Sequence, residues 1–481
     1  MVDRSFGPEL DGPSRENAPD GPGIRFLIPR TIPYPSKPNS LTMKHVSFLA
    51  LAALLFVTSC KKDKDEEDPI PPGGGPGGVT CNSDYLPIVM LHGLLASGDT
   101  YAKQAQRFVQ NGQCSQRVFV MDRNTLGGGN AVPLLDAFID DVLQQTGATQ
   151  VELVGHSAGG GLGYDYLADA GRAAKVAHYV HIGSGTQPGP AGPNGEVPTM
   201  NIWSPFDAIV AGADIPGAQN VQLPAKDHYE VATSEETFTA MYTFFRGSPP
   251  ANATIVPDGR RQVQGRALSL GENVPLAGAT VNVFPLNTAT GFRLDAQPAH
   301  VFTTDAQGYW GSFGADEGRF YEFEVVPSGT GRKLHYYREP FIASDHFVYL
   351  RSLPAPGSVA GFLLASLPSN DDQAVVTVFT ANQAVINGRD DLRSNGFELS
   401  TAEFASADNT SIAFFLYDGN NDGQTNGTPV GSFGSFPFLS GIDVFFPTVQ
   451  PESIELTFAG RTMRVRNWPS ATEGITIAVF D

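Results

Sequence analysis

Between positions 86 and about 246, short apolar runs alternate with segments whose apolar residues recur every three or four positions. The runs at 86–91, 117–121, 150–154, 176–182, 199–203 and 221–223 have the length of buried strands. Helical spacing occupies 100–109, 133–145, a Gly-rich segment ending at Leu167, and 234–245. Within 133–145 the apolar positions are Leu134, Leu135, Phe138, Ile139, Val142 and Leu143, and Pro133 suits a first helical turn. Strands alternating with helices in this way predict an α/β fold, with a mostly parallel sheet of about six strands wound by helices on both faces.

After Gly247 the helical period disappears. Alternating strands with turn signals follow, at 279–284, 304–310 and 320–326, then at 375–379 and 412–417. We read a β-sandwich-like domain over 258–353 and a second β-domain over 357–481, separated by Pro354-Ala355-Pro356-Gly357. One continuous β-domain accounts for the same pattern.

The chain has 481 residues, which suits two or three domains. Its formal charge of −19 leaves no basic stripe to offset phosphates, so nucleic acid is excluded as a partner. The N-terminal region adds a location. Residues 1–42 are Pro-rich and aperiodic, and read as an extension from a start codon assigned too early. Met43-Lys44-His45 leads into an apolar run that closes on Thr58-Ser59-Cys60, so 43–60 has the form of a secretory signal. Ending on Cys60, it resembles a bacterial lipoprotein signal, which implies export and acylation of Cys60. The product would be lipid-anchored to the outer membrane or cell surface. Residues 61–80, charged and then Gly/Pro-rich, read as a flexible tether. The remaining cysteines, Cys81 and Cys114, are candidates for a disulfide in an exported protein.

Candidate chemistry centres on Gly155-His156-Ser157-Ala158-Gly159. This is a G-x-S-x-G motif placed directly after a strand and before a helix, the context in which its Ser is a nucleophile. A hydroxyl needs a base, and the base a carboxylate to orient it. Asp207, just past a strand, and His228, in the loop before the last helix, follow Ser157 in the order such a core uses. Asp214 and Asp227 stand nearby as alternative acids. The backbone N–H groups of Leu94 and Ala158 are candidates for the oxyanion hole. The other histidines considered, His156, His178, His181, His300, His335 and His346, read as structural. Asp418, Asn420 and Asp422 begin a D-x-N-x-D-G calcium-loop pattern, but its twelfth position is Pro429, and a polar hairpin turn explains the loop equally well. The chemistry itself requires no cofactor.

With these residues in place, the chain resembles the lipases that join an α/β-hydrolase core to a C-terminal β-domain, represented by an archaeal long-chain lipase and bacterial relatives. The likeness rests on Pro87-Ile88-Val89 with His92-Gly93-Leu94 and on Val151-Glu152-Leu153-Val154-Gly155-His156-Ser157. It continues in Ala174-Lys175-Val176-Ala177-His178, Glu236-Thr237-Phe238, Tyr321-Glu322-Phe323 and His335-Tyr336-Tyr337-Arg338 with Pro340-Phe341. It implies an ester hydrolase of lipid substrates with Ser157 as nucleophile and His228 as base, and a β-domain that helps bind lipid. A polyester depolymerase or short-chain esterase would carry the same triad, and a surface-binding protein is the non-enzymatic alternative. There are two departures. The archaeal relative's acid follows the strand after the nucleophile helix, where this chain reads Ile182-Gly183-Ser184-Gly185, so the role passes to Asp207. Only about 14 residues separate Met121 from Asp136, where that relative inserts a lid, so an open site is expected.

Overall fold

The computed structural model describes residues 81–481. The readings made for 1–80, Cys60 among them, lie outside the described residues. In the first half the strand–helix alternation becomes β1 (Ile88–Leu91), α1 (Ala102–Gln110), β2 (Val118–Met121), α2 (Val132–Thr146), β3 (Val151–His156) and α3 (Ala158–Leu167). There follow α4 (Ala170–Ala173), β4 (Val176–Ile182), β5 (Thr199–Trp203), β6 (Gln219–Gln222), α5 (Glu230–Thr233) and α6 (Glu235–Arg246). The six strands pair in parallel in the order β2-β1-β3-β4-β5-β6.

Burial explains the unbroken apolar runs. β1 and β3 have helices on both faces and are buried at every residue, so no polar face interrupts them. On one face Phe108 of α1 packs with Phe238, Tyr242 and Phe245 of α6. On the other, Leu135, Ile139 and Val142 of α2 pack with Leu162 and Tyr166 of α3. β6 begins two residues before the predicted run. It is an edge strand with exposed glutamines at both ends, so burial leaves little apolar pattern there. A disulfide joins Cys81 to Cys114.

The second half contains β7 (Gln262–Ser269), β8 (Thr280–Pro285), β9 (His300–Thr303), β10 (Tyr309–Gly314), β11 (Tyr321–Val326), β12 (Leu334–Arg338) and β13 (Asp345–Ser352). Next come α7 (Val359–Leu363), β14 (Val376–Thr380), β15 (Leu392–Ser394), β16 (Phe397–Glu398), β17 (Ala413–Tyr417), β18 (Leu439–Asp443), β19 (Ser453–Phe458), β20 (Arg461–Arg466) and β21 (Ile475–Phe480). The strand read at 304–310 is instead mostly a turn between β9 and β10. The Asp305 carboxylate accepts the N–H groups of Gln307 and Tyr309, which folds the chain back on itself.

The division at 353/357 does not separate two independent β-bodies. Eight strands form one sheet, β18-β17-β14-β21-β12-β11-β8-β9, drawn from both sides of the linker. The join is β21, which lies parallel to β12 on one side and to β14 on the other. Its Ile475, Ile477 and Val479 face one core, while Ala478 and Phe480 face the other. A three-stranded sheet, β10-β7-β13, contributes Val263, Val348 and Leu350 to the first core. A four-stranded sheet, β16-β15-β19-β20, contributes Leu456, Phe458 and Val465 to the second. The result is three β layers, with the eight-stranded sheet between the other two.

This β structure is bound to the parallel sheet by buried polar contacts. Asp122, after β2, accepts hydrogen bonds from Arg266 Nη1 of β7 at 2.6 Å and from the Tyr349 hydroxyl of β13 at 2.7 Å. Asn273 Nδ2 donates to the carbonyls of Ala96 and Arg123, both at 2.9 Å. Arg351 pairs with Asp99. Each charge in these contacts is matched, which is what allows its burial.

Candidate active site

The turn between β3 and α3 is tight enough to dictate its sequence. A Cβ on Gly155 would lie 2.5 Å from the Gly159 carbonyl oxygen, and one on Gly159 would lie 2.2 Å from that of Leu91. Only glycine fits at either place. Between them Ser157 has φ of 54°, a left-handed value that a non-glycine residue adopts at some cost in strain. Backbone bonds hold it there: Ser157 N–H donates to Ile182 C=O at 2.9 Å, and the Ser157 carbonyl accepts from Ser184 Oγ at 2.8 Å.

Asp207 follows β5 and His228 follows β6, and both side chains are almost completely buried. His228 Nδ1 is 2.7 Å from Asp207 Oδ2. A carboxylate only accepts, so Nδ1 carries a proton, and in the neutral imidazole the lone pair is on Nε2. Among the described residues Nε2 has no hydrogen-bond partner. The other oxygen, Asp207 Oδ1, accepts from the N–H groups of Ile209 and Val210, each at 2.9 Å, which fixes the carboxylate plane. The two alternative acids are committed elsewhere. Asp214 accepts from Trp203 Nε1, and Asp227 accepts from the N–H groups of Tyr229 and Glu230 and from Arg389.

His156, read from sequence as structural, touches this machinery. Its Nε2 is 2.8 Å from the His228 carbonyl, so it donates there, and the two rings lie 4.7 Å apart. Burial first, then the neighbouring His228, hold its pKa well below the usual imidazole value, so the ring is neutral. No short-range pattern announces this bond, because the acceptor is a backbone carbonyl 72 residues away.

Ser157 and His228 line one pocket with Gly93, Leu94, Leu95 and Ala96. Leu95 N–H is spent on Thr125 Oγ1 at 2.9 Å. Among the described residues Leu94 N–H and Ala158 N–H have no acceptor, and Ala158 opens α3, where helical N–H groups are unpaired by geometry. The other wall comes from the β structure: Leu270, Ala360 and Leu363 of α7, Phe379, Ile412, Phe438 and Leu439. Residues far along the chain thus form the pocket wall opposite the parallel sheet. Phe438 stacks on the His228 ring with centroids 5.8 Å apart and planes 16° from parallel. Its φ of 76° is held by its N–H to Asn409 C=O and by Ile412 and Ala413 N–H to its own carbonyl.

The loop with Asp418, Asn420 and Asp422 lies apart from this pocket and is satisfied internally. Asp418 Oδ2 accepts from Gly423 N–H, Asn420 Oδ1 from Asp422 N–H, and Asp422 Oδ1 from Gln424 N–H. Among the described residues no group of three His, Cys, Asp or Glu side chains could hold a metal ion.

Residues 87–242 match the family model for the alpha/beta hydrolase fold, and residues 259–354 match that for the lipase C-terminal domain. Over those spans the chain has an alpha/beta hydrolase fold followed by a lipase C-terminal domain. A third model, for a further C-terminal domain, matches residues 372–481 of the chain. Solved structures similar to the chain include an esterase from Rhodococcus sp. ECU1013. It is 18% identical, with 36% of this chain and 96% of that one covered and a TM-score of 0.29. A lipase from Bacillus licheniformis is 16% identical over 34% of this chain and 94% of its own, with a TM-score of 0.27. A carboxylesterase from Bacillus subtilis is 14% identical over 36% and 86%, also with a TM-score of 0.27.

Proposed function

We propose that this hydrolase is a serine carboxylic ester hydrolase acting on acyl glycerols or similar lipid esters through an acyl-enzyme. The observation that carries the reading is the buried 2.7 Å bond from His228 Nδ1 to Asp207, which leaves Nε2 as a free base on a residue lining the same pocket as Ser157. In this reading Ser157 Oγ attacks the ester carbonyl while His228 Nε2 takes its proton, and Asp207 stabilises the imidazolium that forms. The N–H groups of Leu94 and Ala158 receive the oxyanion. The imidazolium then protonates the departing alcohol, and water, deprotonated by the same His228, releases the acid. No cofactor enters the cycle.

Lipid esters are favoured by the apolar second wall of the pocket and by the match to a lipase C-terminal domain. Export and anchoring through an acylated Cys60 belong to the same proposal, and labelling with radioactive palmitate, lost in Cys60→Ser, would test them.

The test of function is hydrolysis of p-nitrophenyl esters from C2 to C16 by the protein and its Ser157→Ala variant. Activity dependent on Ser157 and strongest at C8 or longer is the expected result. A Ser157-dependent peak at C2 to C4 would instead identify a short-chain esterase. Absence of activity on every ester, polyester films included, would leave a binding protein.

A further inference from the structure

We infer that Arg389 is a positioning residue for His228, and that segment 382–390 of the β structure is a working part of the catalytic centre. The inference rests on the reading of His228 as the base. His228 stands on a loop between β6 and α5, not on a strand, so its place depends on what grips that loop. His156 and Asp207 hold it from the parallel sheet. The opposite grip comes from about 150 residues further along. Asp227, immediately before His228, is buried, and its Oδ1 starts α5 by accepting from Tyr229 and Glu230 N–H at 2.8 and 2.9 Å. Its Oδ2 accepts from Arg389 Nη2 at 2.9 Å and from Ala384 N–H at 3.1 Å. Glu230, on the other side of the histidine, accepts from Arg389 Nη1 at 2.7 Å. One guanidinium thus ties together residues on both sides of His228.

The fork is itself pre-set. Arg389 Nε donates to Asp390 at 2.8 Å, and that carboxylate also accepts from Ile386 N–H and Gln383 Nε2, both at 2.9 Å. Thr233 Oγ1 adds a bond to the Asn382 carbonyl at 2.5 Å. Removing the guanidinium leaves the Asp227 and Glu230 carboxylates side by side without their shared cation. Burial and Asp227 already push the pKa of Glu230 up to about 7. Without the guanidinium Glu230 takes up a proton and the tie between the two sides of the loop is lost, so the loop shifts and the imidazole moves relative to Ser157. Displacements on the scale of 1 Å cost catalysis about 10²-fold without affecting distant binding contacts.

The experiment compares the full protein with Arg389→Gln, Arg389→Lys and Ser157→Ala. The readouts are kcat and KM on p-nitrophenyl butyrate, normalised by active-site titration with a fluorophosphonate, and the rate of that phosphonylation. Arg389→Gln should lower kcat by about 10- to 100-fold and slow phosphonylation in parallel, with KM within about twofold. Arg389→Lys should recover part of the loss, because an ammonium restores the charge but not the fork. Should Arg389→Gln fail to fold, Glu230→Gln removes one arm alone and should lower titrated kcat about fivefold. Unchanged kcat per titrated site in the folded variants overturns the inference and leaves Arg389 a purely structural ion pair. Activity surviving in Ser157→Ala would instead overturn the underlying reading, whatever Arg389 does.

Discussion

Replacing Asp207 by Asn is the most exacting test of the proposed triad, because the surrounding bonds decide how the new side chain sits. Two backbone donors, Ile209 and Val210 N–H at 2.9 Å, face Oδ1. The Asn carbonyl oxygen must take that place, since an amide NH₂ there would meet two donors. The NH₂ group then faces His228 Nδ1, where it can only donate. The imidazole is forced into the tautomer with its proton on Nε2, so the atom that should accept the Ser157 proton already carries one. Loss of the correct tautomer and of the carboxylate beneath the imidazolium should cost about 10⁴ in kcat, about 5.4 kcal/mol at 1.36 per decade. KM should stay within a few-fold, since Asp207 is not among the residues lining the pocket. Steady-state kinetics on p-nitrophenyl butyrate, with circular dichroism as a check on folding, make the measurement. Asp214→Asn serves as the control and should keep full activity, because Asp214 bonds Trp203 rather than the histidine. A folded Asp207→Asn enzyme within tenfold of the parent would refute the assignment.

Phe438→Ala should enlarge the pocket beside His228 and raise the kcat/KM ratio of C12 to C4 esters by about fivefold, one or two methylenes' worth of binding; an unchanged chain-length profile would remove Phe438 from substrate selection. His156→Phe should leave the buried His228 carbonyl unpaired and cost about 1–3 kcal/mol at pH 8. The pKa of His156 is depressed in the folded state, so its contribution is full above the unfolded value of 6.5 and is lost as pH falls through the folded value. Chemical denaturation at pH 8 and pH 5 should therefore show the gap between parent and variant narrowing, and a gap that widens would contradict a neutral His156. Changing Cys81 and Cys114 to Ser opens a loop with a sequence separation of 33 and should cost about 3–4 kcal/mol by chain entropy, read as a lower denaturant midpoint.

The parallel sheet was legible because strands buried on both faces write unbroken apolar runs, and because Ser157 needs glycines that nothing else could replace. Asp207 and His228 could be placed by their order and by their positions past strand ends. What could not be read were partnerships between distant segments. β21 is a plain apolar run, and no local pattern says that Ile475–Phe480 lies between strands from both sides of a proline-rich linker. The second wall of the pocket was missed for the same reason: the short link between Met121 and Asp136 is visible in sequence, but the position of Phe438 against His228 is not. The Asp305 turn was different, since its signal, an Asp three residues before Gly308, was present and a run of β-prone residues obscured it.

The placement of β21 also bears on how such a chain can be inherited. A crossover in the 354–371 stretch has the appearance of a safe junction, with family matches ending and beginning on either side. Yet a recombinant that exchanged only the later part would have to regenerate a parallel strand fitting β12 of the earlier part along its length. A mismatch would leave two long unpaired strand edges open to other chains. Selection should then treat the two β regions as one heritable block, changing in step across the linker even where their surfaces diverge.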